Sequence, residues 1–204
     1  CYAVLPRYVF AVILAVYMLD VLLGGAERGR RREWTLYRTS FVTRAPFEYF
    51  GLRLLAGEEV QLKAEEQYLF AIHPHGVYPF GGLPLYSPAS PLLKRFPGVR
   101  VHPCAATVCF KVPFIREYLL WTGHMDVSRS VVSKQLDKGL SMAIIPGGEA
   151  EALRTENGRE AVVLEGRKGF VALALQYGVP LVPTYTFGNV DTFHISKQCC
   201  FRLR

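Results

Sequence analysis

The stretch Phe70–Leu83 reads FAIHPHGVYPFGGL, a short apolar run followed by two histidines that flank a proline. The apolar residues Tyr68–Ile72 predict a buried strand. In an open α/β sheet the ligand site lies beyond the carboxyl ends of the strands. Because His73 and His75 follow this strand directly, the sequence places two imidazoles at the edge where chemistry is expected.

On the residues alone, three interpretations of this pair remain open. A neutral imidazole can take a proton from an alcohol as that alcohol attacks an activated carbonyl, so one histidine could be a catalytic base. The pair could instead bind a metal ion, or be two ordinary loop residues. Pro74 stiffens the turn and restricts the direction of the second imidazole.

A metal site would need further ligands, normally at strand ends or on one helix face. None of the other candidates has a companion ligand at the third or fourth position after it. The candidates are His102, His124, Asp126 and His194. We therefore predict no metal or other cofactor, and keep a metal-dependent hydrolase as the second-ranked chemistry.

Strand-like and helix-like segments alternate over most of the chain. The predicted strands are Tyr68–Ile72, Val101–Val108, Ser141–Ile145, Ala161–Leu164 and Leu181–Tyr185, and the predicted helices are Phe114–Trp121, Ser130–Lys138 and Lys168–Tyr177. Each of these helices ends at or just before a glycine, a common helix stop. The alternation predicts an α/β fold with a mainly parallel sheet flanked by helices.

Two further segments carry residue types that suit chemistry. In IIPGGEAEAL, Ile144–Leu153, Gly147 and Gly148 would let backbone N–H groups approach an oxyanion or phosphate. A carboxylate after them, Glu149 or Glu151, could orient a histidine. The alternative is an ordinary turn with exposed glutamates.

In EGRKGFVALALQYGVPLVPTYTFG, Glu165–Gly188, two cations stand at the mouth of a predicted helix. Helix N-terminal amides favour negative charge, so Arg167 and Lys168 could form an anion site there. The alternative is a solvated helix start. The formal net charge of +7 and the pI of about 9.3 also favour an anionic partner.

The N-terminal part is apolar and is followed by arginines. A helix over Val9–Leu23 would be about 22 Å long, shorter than a bilayer core of roughly 30 Å. Pro6 and Arg7 are expected to interrupt any extension, so the segment is a span that begins earlier or one arm of a hairpin; a buried core helix is the alternative. The basic flank Glu27–Glu33, ERGRRRE, is typical of the cytoplasmic side of a membrane.

Composition and ends suggest a piece of a membrane protein with one cytosolic domain. Half of the 204 residues are apolar, and the five cysteines, including adjacent Cys199 and Cys200, show no C-x-x-C spacing, as expected of reduced thiols. We expect residues 1–25 to be a truncated membrane-embedded segment and 26–44 a basic juxtamembrane linker. Residues 45–204 would be the α/β domain, continuing beyond the last residue. Nucleic-acid binding is disfavoured because no aromatic–basic motif is present.

Taken in order, the motifs resemble the diacylglycerol acyltransferase type 2 family, which includes monoacylglycerol and wax-ester acyltransferases. The resemblance rests on HPHG at His73–Gly76, PGGxxE at Pro146–Glu151, the segment Arg167–Gly188, and FKVPFIREYLLWTGHMDVSR at Phe110–Arg129. It covers about residues 35 to 195.

The resemblance implies a glycerolipid-acyltransferase-like domain at the endoplasmic reticulum membrane, facing the cytosol. The implied reaction moves a fatty acyl group from acyl-CoA, the co-substrate, to a neutral lipid hydroxyl. Diacylglycerol, giving triacylglycerol, is the first expected acceptor, with monoacylglycerol or a wax alcohol as alternatives. The expected partners are acyl-CoA, the acceptor and the membrane, and a homo-oligomer is allowed. Outside the family, two alternatives remain: the metal-dependent hydrolase that uses the two histidines, and a non-enzymatic lipid-binding membrane protein.

The resemblance also suggests roles for residues. His75 would be the general base, His73 would support the turn, and Glu151 matches the glutamate of the family. The expected substrate-binding residues are Pro74, Gly76, Gly147, Gly148, Arg167, Lys168 and Arg129, with Arg154 a further candidate for the CoA phosphates.

Two positions depart from related patterns. More distant glycerolipid acyltransferases carry an aspartate five positions after the histidine, where this chain has Phe80 after His75. The orienting carboxylate is therefore expected from elsewhere in the sequence. Asn189 stands where many members of the family have glutamate after Phe-Gly.

Overall fold

The computed structural model describes residues 4–29, 32–85 and 87–195. The helices are α1 Val4–Leu23, α2 Thr35–Arg38, α3 Phe41–Tyr49, α4 Pro91–Arg95, α5 Ile115–Trp121, α6 Arg129–Leu136, α7 Gly148–Leu153 and α8 Gly169–Tyr177. The strands are β1 Leu69–His73, β2 Val101–Ala105, β3 Met125–Asp126, β4 Ser141–Ile144 and β5 Leu181–Tyr185. Short 3-10 turns include Phe80–Leu85, Thr107–Lys111 and Asn189–Asp191.

The five strands form one parallel sheet in the order β3-β2-β4-β1-β5, which confirms the predicted α/β fold. Strand β1 is buried throughout. Its side chains alternate between two cores, with Phe70 and Ile72 in one and Leu69 in the other. A strand covered on both faces has few polar positions, which explains why the apolar run before His73 is continuous.

Most predicted elements are confirmed within one or two residues, and the exceptions have local causes. The strand from Val101 ends at Ala105 because a 3-10 turn begins at Thr107. The predicted strand Ala161–Leu164 is wrong, since these residues have no regular structure. Five elements were missed: the two-residue strand β3, the helices α2, α3 and α4, and α7, which starts directly after the proline–glycine turn.

Helix α1 is longer than expected and its apolar side chains are largely exposed. Pro6 and Arg7 lie inside it, contrary to expectation, because Pro6 falls in the first turn where its missing N–H costs nothing. The segment Pro6–Arg28 is the one span in the described residues that is long and apolar enough to cross a membrane. Only 11% of its apolar window is buried, so the core-helix interpretation is wrong.

The described part of the basic linker packs against the α/β domain. Arg32 forms two hydrogen bonds to the Asp20 carboxylate, at 2.8 and 3.0 Å, so this arginine is committed to α1. The Trp34 N–H donates to the Trp121 carbonyl at the end of α5, and the two indoles meet edge to face. Two arginines of the basic flank, Arg30 and Arg31, lie outside the described residues, as do the adjacent cysteines Cys199 and Cys200.

Candidate functional site

The two glycine- and histidine-containing motifs meet at the carboxyl edge of the sheet. His73 is the last residue of β1, and β4, which leads into the glycine turn and α7, pairs with β1 in parallel. The two strands therefore deliver their following segments to the same edge. Glu151, in the first turn of α7, points back to the histidine segment and is almost completely buried.

The Glu151 carboxylate accepts three hydrogen bonds. Its Oε1 lies 2.9 Å from His73 Nδ1 and also accepts from the Val163 N–H at 2.9 Å. Its Oε2 accepts from the His75 N–H at 2.8 Å. Since an ionised carboxylate can only accept, the proton of His73 is on Nδ1. The buried Glu151 side chain thus fixes the His73 ring, the main chain of His75 and the irregular segment at Val163.

Gly147 is required by the position of Glu151. A Cβ atom at Gly147 would overlap the Glu151 carboxyl group, so no larger residue fits without moving it. Gly148 has φ of +49° and begins α7, and its N–H donates to the Ile145 carbonyl at 3.1 Å. The two glycines therefore shape the turn around Glu151, and the Gly148 N–H is engaged within that turn.

The ring of His75 is held by the backbone rather than by a carboxylate. Its Nδ1 lies 2.9 Å from the Gly76 carbonyl oxygen, which can only accept, so Nδ1 carries the proton and Nε2 presents a lone pair. The residue is half-buried, whereas His73 is buried. The carboxylate expected from elsewhere in the sequence is present, but it orients the His73 ring and only the main chain of His75.

Asn189 is a site residue whose role the sequence left open. Its Nδ2 donates to the carbonyls of Pro74 at 3.1 Å and His75 at 2.9 Å, and its Oδ1 accepts from the Phe80 N–H at 3.3 Å. Gly76 has φ of +64°, and a Cβ there would overlap this amide. The buried Asn189 therefore holds the HPHG turn in place from the side of β5. In the sequence, only its position after Phe-Gly indicated a place in the site.

A further contact, on the exposed side of β5, supports the loop that carries Asn189. Glu160 accepts from the Tyr185 hydroxyl at 2.6 Å and from the Gly188 N–H at 2.9 Å. Burial, followed by this carboxylate, raises the pKa of Tyr185 to about 12. Tyr185 pairs with His73 across β5 and β1, so Glu160 connects the loop to the strand end. Nothing in the local sequence around Glu160 marked it for this role.

An apolar groove adjoins the HPHG turn. It has a volume of about 280 Å³ and is lined mainly by aromatic and aliphatic side chains of α3, α5 and the turn after HPHG. Its lining includes Val42, Tyr78, Phe80, Leu83, Tyr118 and Phe193. The Tyr78 and Tyr118 hydroxyls are 3.0 Å apart, and burial raises the pKa of Tyr78. A larger cavity of about 430 Å³ lies around the start of β2, at the amino-terminal ends of the strands.

The predicted phosphate-binding cations lie on the surface. Arg167 and Lys168 are exposed and directly precede α8. Arg129 begins α6, just past the carboxyl end of β3, and contacts Gln176 at 3.3 Å. Arg154 follows α7 and is also exposed. None of these four is seen touching the histidines in the described structure.

The candidate metal ligands are dispersed. In the part of the chain that the structure describes, no group of three or more histidine, cysteine, aspartate or glutamate side chains could hold a metal ion. His102 faces Glu33, His124 lies 2.8 Å from the Thr122 hydroxyl, and Asp126 accepts from the Ser128 N–H. Burial lowers the pKa of His124 to about 3, and His194 is exposed.

Comparison with known proteins gives one family. The family described as "Diacylglycerol acyltransferase" matches residues 3–204. Human "Acyl-CoA wax alcohol acyltransferase 1" is 34% identical over 97% of this chain and 66% of its own length. Bovine "Diacylglycerol O-acyltransferase 2" is 37% identical over 85% of this chain and 47% of its own length, and the Xenopus tropicalis protein of that name is 34% identical over 98% and 56%.

The chain therefore spans about half to two-thirds of the length of these curated relatives. No solved structure matches it.

Proposed function

We propose, from the membership of this chain in the diacylglycerol acyltransferase family, that its protein moves a fatty acyl group from acyl-CoA to a neutral lipid hydroxyl. Diacylglycerol is the first proposed acceptor; monoacylglycerol or a wax alcohol is the alternative, supported by the wax alcohol acyltransferase relative. The observation that supports this chemistry best is Glu151, which joins the HPHG and PGGxxE motifs through contacts to His73 and His75.

The proposed setting is the endoplasmic reticulum membrane, with residues 1–25 embedded and the domain from residue 45 facing the cytosol. The exposed apolar surface of α1 supports the embedding, and the choice of membrane rests on what the family resemblance implies. We further propose that the parallel sheet is that of a glycerolipid acyltransferase. No cofactor is proposed beyond the co-substrate acyl-CoA.

His75 is the proposed general base. Its Nε2 lone pair takes the hydroxyl proton as the acceptor oxygen attacks the thioester carbonyl, so no alkoxide forms beforehand. The tetrahedral intermediate then breaks its C–S bond, and the imidazolium returns the proton to the departing CoA sulfur. The Gly76 carbonyl holds the tautomer that this cycle needs, because it accepts from Nδ1–H.

His73 and Glu151 are proposed as positioning residues. They fix the strand end and the His75 main chain, so that the base approaches the substrate from one direction. The developing oxyanion needs N–H donors, worth roughly 3–4 kcal/mol when well placed. The amides of Gly76 and Gly147 are the proposed donors, since the Gly148 amide is engaged by Ile145.

The acyl chain is proposed to occupy the apolar groove. Asn189 bonds both the His75 carbonyl and the Phe80 N–H, so the groove lies one side chain away from the base. Val42 lines the groove and is 58% exposed, so Val42→Trp should fill it without disturbing the core. We expect activity with long-chain acyl-CoA to fall several-fold relative to short-chain acyl-CoA.

The matched control for that prediction is Phe41→Trp on the same helix, which is 68% exposed and does not line the groove. Its chain-length profile should equal that of the wild type. If Val42→Trp lowers activity equally for all chain lengths, or not at all, the groove does not hold the acyl chain.

The CoA phosphates are assigned to Arg167 and Lys168. Helix α8 leads through a short turn into β5, so its first residues lie toward the carboxyl edge, where helix N–H groups also favour anions. Replacing both with glutamine should raise KM for acyl-CoA several-fold and leave KM for the neutral acceptor unchanged.

Lys94 and Arg95 are a matched control. This exposed pair ends α4, which leads to the start of β2 at the amino-terminal ends of the strands. Their replacement by glutamine should leave KM for acyl-CoA unchanged at constant ionic strength. Equal effects from the two pairs would mean that only the overall charge of the domain attracts CoA.

The test of the proposed function is stoichiometry in liposomes that contain the full-length protein. Release of CoA thiol and formation of lipid ester should match one to one, with diacylglycerol, monoacylglycerol and a long-chain alcohol supplied separately. Thiol release without ester would show that water is the acceptor and favour the hydrolase.

A further inference from the structure

Phe114 combines two properties that a bulky apolar residue rarely shows together. It is the one non-glycine residue in the described chain with a positive φ, at 67°, and its side chain is 84% exposed. A positive φ disfavours large side chains, and an exposed phenylalanine gains little from folding in water. Strain of this kind persists where surrounding contacts impose it and is a reason to look for function.

The contacts that hold this conformation come partly from α1. The Phe114 N–H donates to Glu117 Oε2 at 3.0 Å and to the Tyr17 hydroxyl at 3.3 Å. Tyr17, on α1, donates in turn to the same Glu117 oxygen at 2.5 Å. The segment before α5 is therefore shaped by the apolar N-terminal helix.

Charged groups tie the end of α1 to the same segment. Arg116 is buried, and it pairs with Asp20 of α1 at 3.0 Å and with Glu117 at 2.9 Å. Lys111 donates to the carbonyls of Val21 and Leu22, both at 3.3 Å. Ion pairs that tie a buried guanidinium make independent movement costly. The end of α1 and the segment around Phe114 thus form one body.

The surface next to this junction is apolar. Val108 is 67% exposed, Val112 40% and Ile115 48%, all within a few residues of Phe114. The apolar side chains of α1 continue it, with Val16 62% and Leu19 56% exposed. A helix that crosses a bilayer ends at the headgroup level, and surfaces that insert at the boundary between headgroups and acyl chains present Trp, Phe and Leu side chains.

We propose that Phe114, with Val108, Val112 and Ile115, inserts into the boundary between headgroups and acyl chains of the leaflet that α1 enters. The occupant of this surface is the lipid bilayer, because the surface is continuous with the helix that is suited to cross it. The contact fixes the depth and tilt of the domain. Since Tyr118 of α5 lines the apolar groove, the groove then opens beside the bilayer.

Photo-cross-linking in liposomes tests this contact. The full-length protein would carry p-benzoylphenylalanine at position 114, in phosphatidylcholine vesicles with a radiolabelled acyl chain. The matched control is position 175, since Leu175 is 78% exposed and lies on α8, outside the segment that the described contacts tie to α1. We expect about tenfold more lipid cross-link from 114 than from 175, as for a side chain immersed in lipid.

Phe114→Gly separates the side chain from the strained backbone, because glycine adopts a φ of 67° freely. The variant should keep the fold. In a protein that carries p-benzoylphenylalanine at position 112, the added Phe114→Gly substitution should reduce lipid cross-linking from that position. Equal lipid yields at 114 and 175, or cross-links from 114 to protein alone, would overturn the proposal. The test needs α1 in the bilayer but no catalysis, so an inactive protein that cross-links lipid would refute the proposed function and not this contact.

Discussion

His75→Ala should lower the rate of acyl transfer by about 10²–10⁴-fold, the usual contribution of a general base, while expression and membrane association stay unchanged. The reason is that Nε2 of His75 presents a lone pair in a half-buried position, with its tautomer held by the Gly76 carbonyl. No other group is proposed to take the acceptor proton. The measurement is the initial rate of ester formation from labelled acyl-CoA.

His75→Asn is the sharper variant of the same test. The asparagine amide can still donate to the Gly76 carbonyl, but it cannot accept a proton at neutral pH. It should be as inactive as His75→Ala, whereas His194→Ala, at an exposed histidine, should be fully active. Substantial activity in His75→Asn would show that the ring only shapes the turn, and would make His73 the candidate base.

Glu151→Gln should also reduce turnover by about 10²-fold or more, because several buried groups lose their common partner. Three N–H donors, from His73, His75 and Val163, converge on two carboxylate oxygens. An amide replaces one oxygen with NH2, which must face a donor, and a buried unsatisfied group costs about 1–3 kcal/mol. The measurement is kcat with the free energy of unfolding determined on the same sample.

Glu149→Gln is the matched control for this substitution. It lies two residues away in the same helix, exposed, and makes the same change of charge. We expect near wild-type kcat and stability from it. Small and equal effects of the two substitutions would reduce the PGGxxE segment to an ordinary turn.

Local patterns were enough to predict the centre of the fold. The run before His73 had no polar residue because β1 is covered on both faces, and Gly178, with φ of +61°, ended α8 as expected. Placement of His73 at the carboxyl edge followed from sheet topology alone. That a carboxylate after the two glycines could orient a histidine was a hypothesis from the sequence. The structure shows the contacts between Glu151 and the histidine segment.

Features that depend on long-range pairing left little signal in the local sequence. Strand β3 has two residues and exists only through its register with β2. Asn189 reaches the HPHG turn across more than a hundred residues of sequence, and the buried Arg116 pairs with Asp20 of α1 as well as with its neighbour Glu117. The conformation of Phe114 is likewise supported in part by a contact with Tyr17, a residue of a distant helix.

Acyl transfer from acyl-CoA to a lipid hydroxyl, without a metal, is the reaction proposed for this protein. It is measured by supplying acyl-labelled acyl-CoA and diacylglycerol to liposomes that contain the full-length protein and separating the labelled lipids. We expect labelled triacylglycerol, unaffected by EDTA and lost in His75→Ala. Labelled free fatty acid as the main product, suppressed by EDTA and restored by zinc, would contradict the proposed reaction.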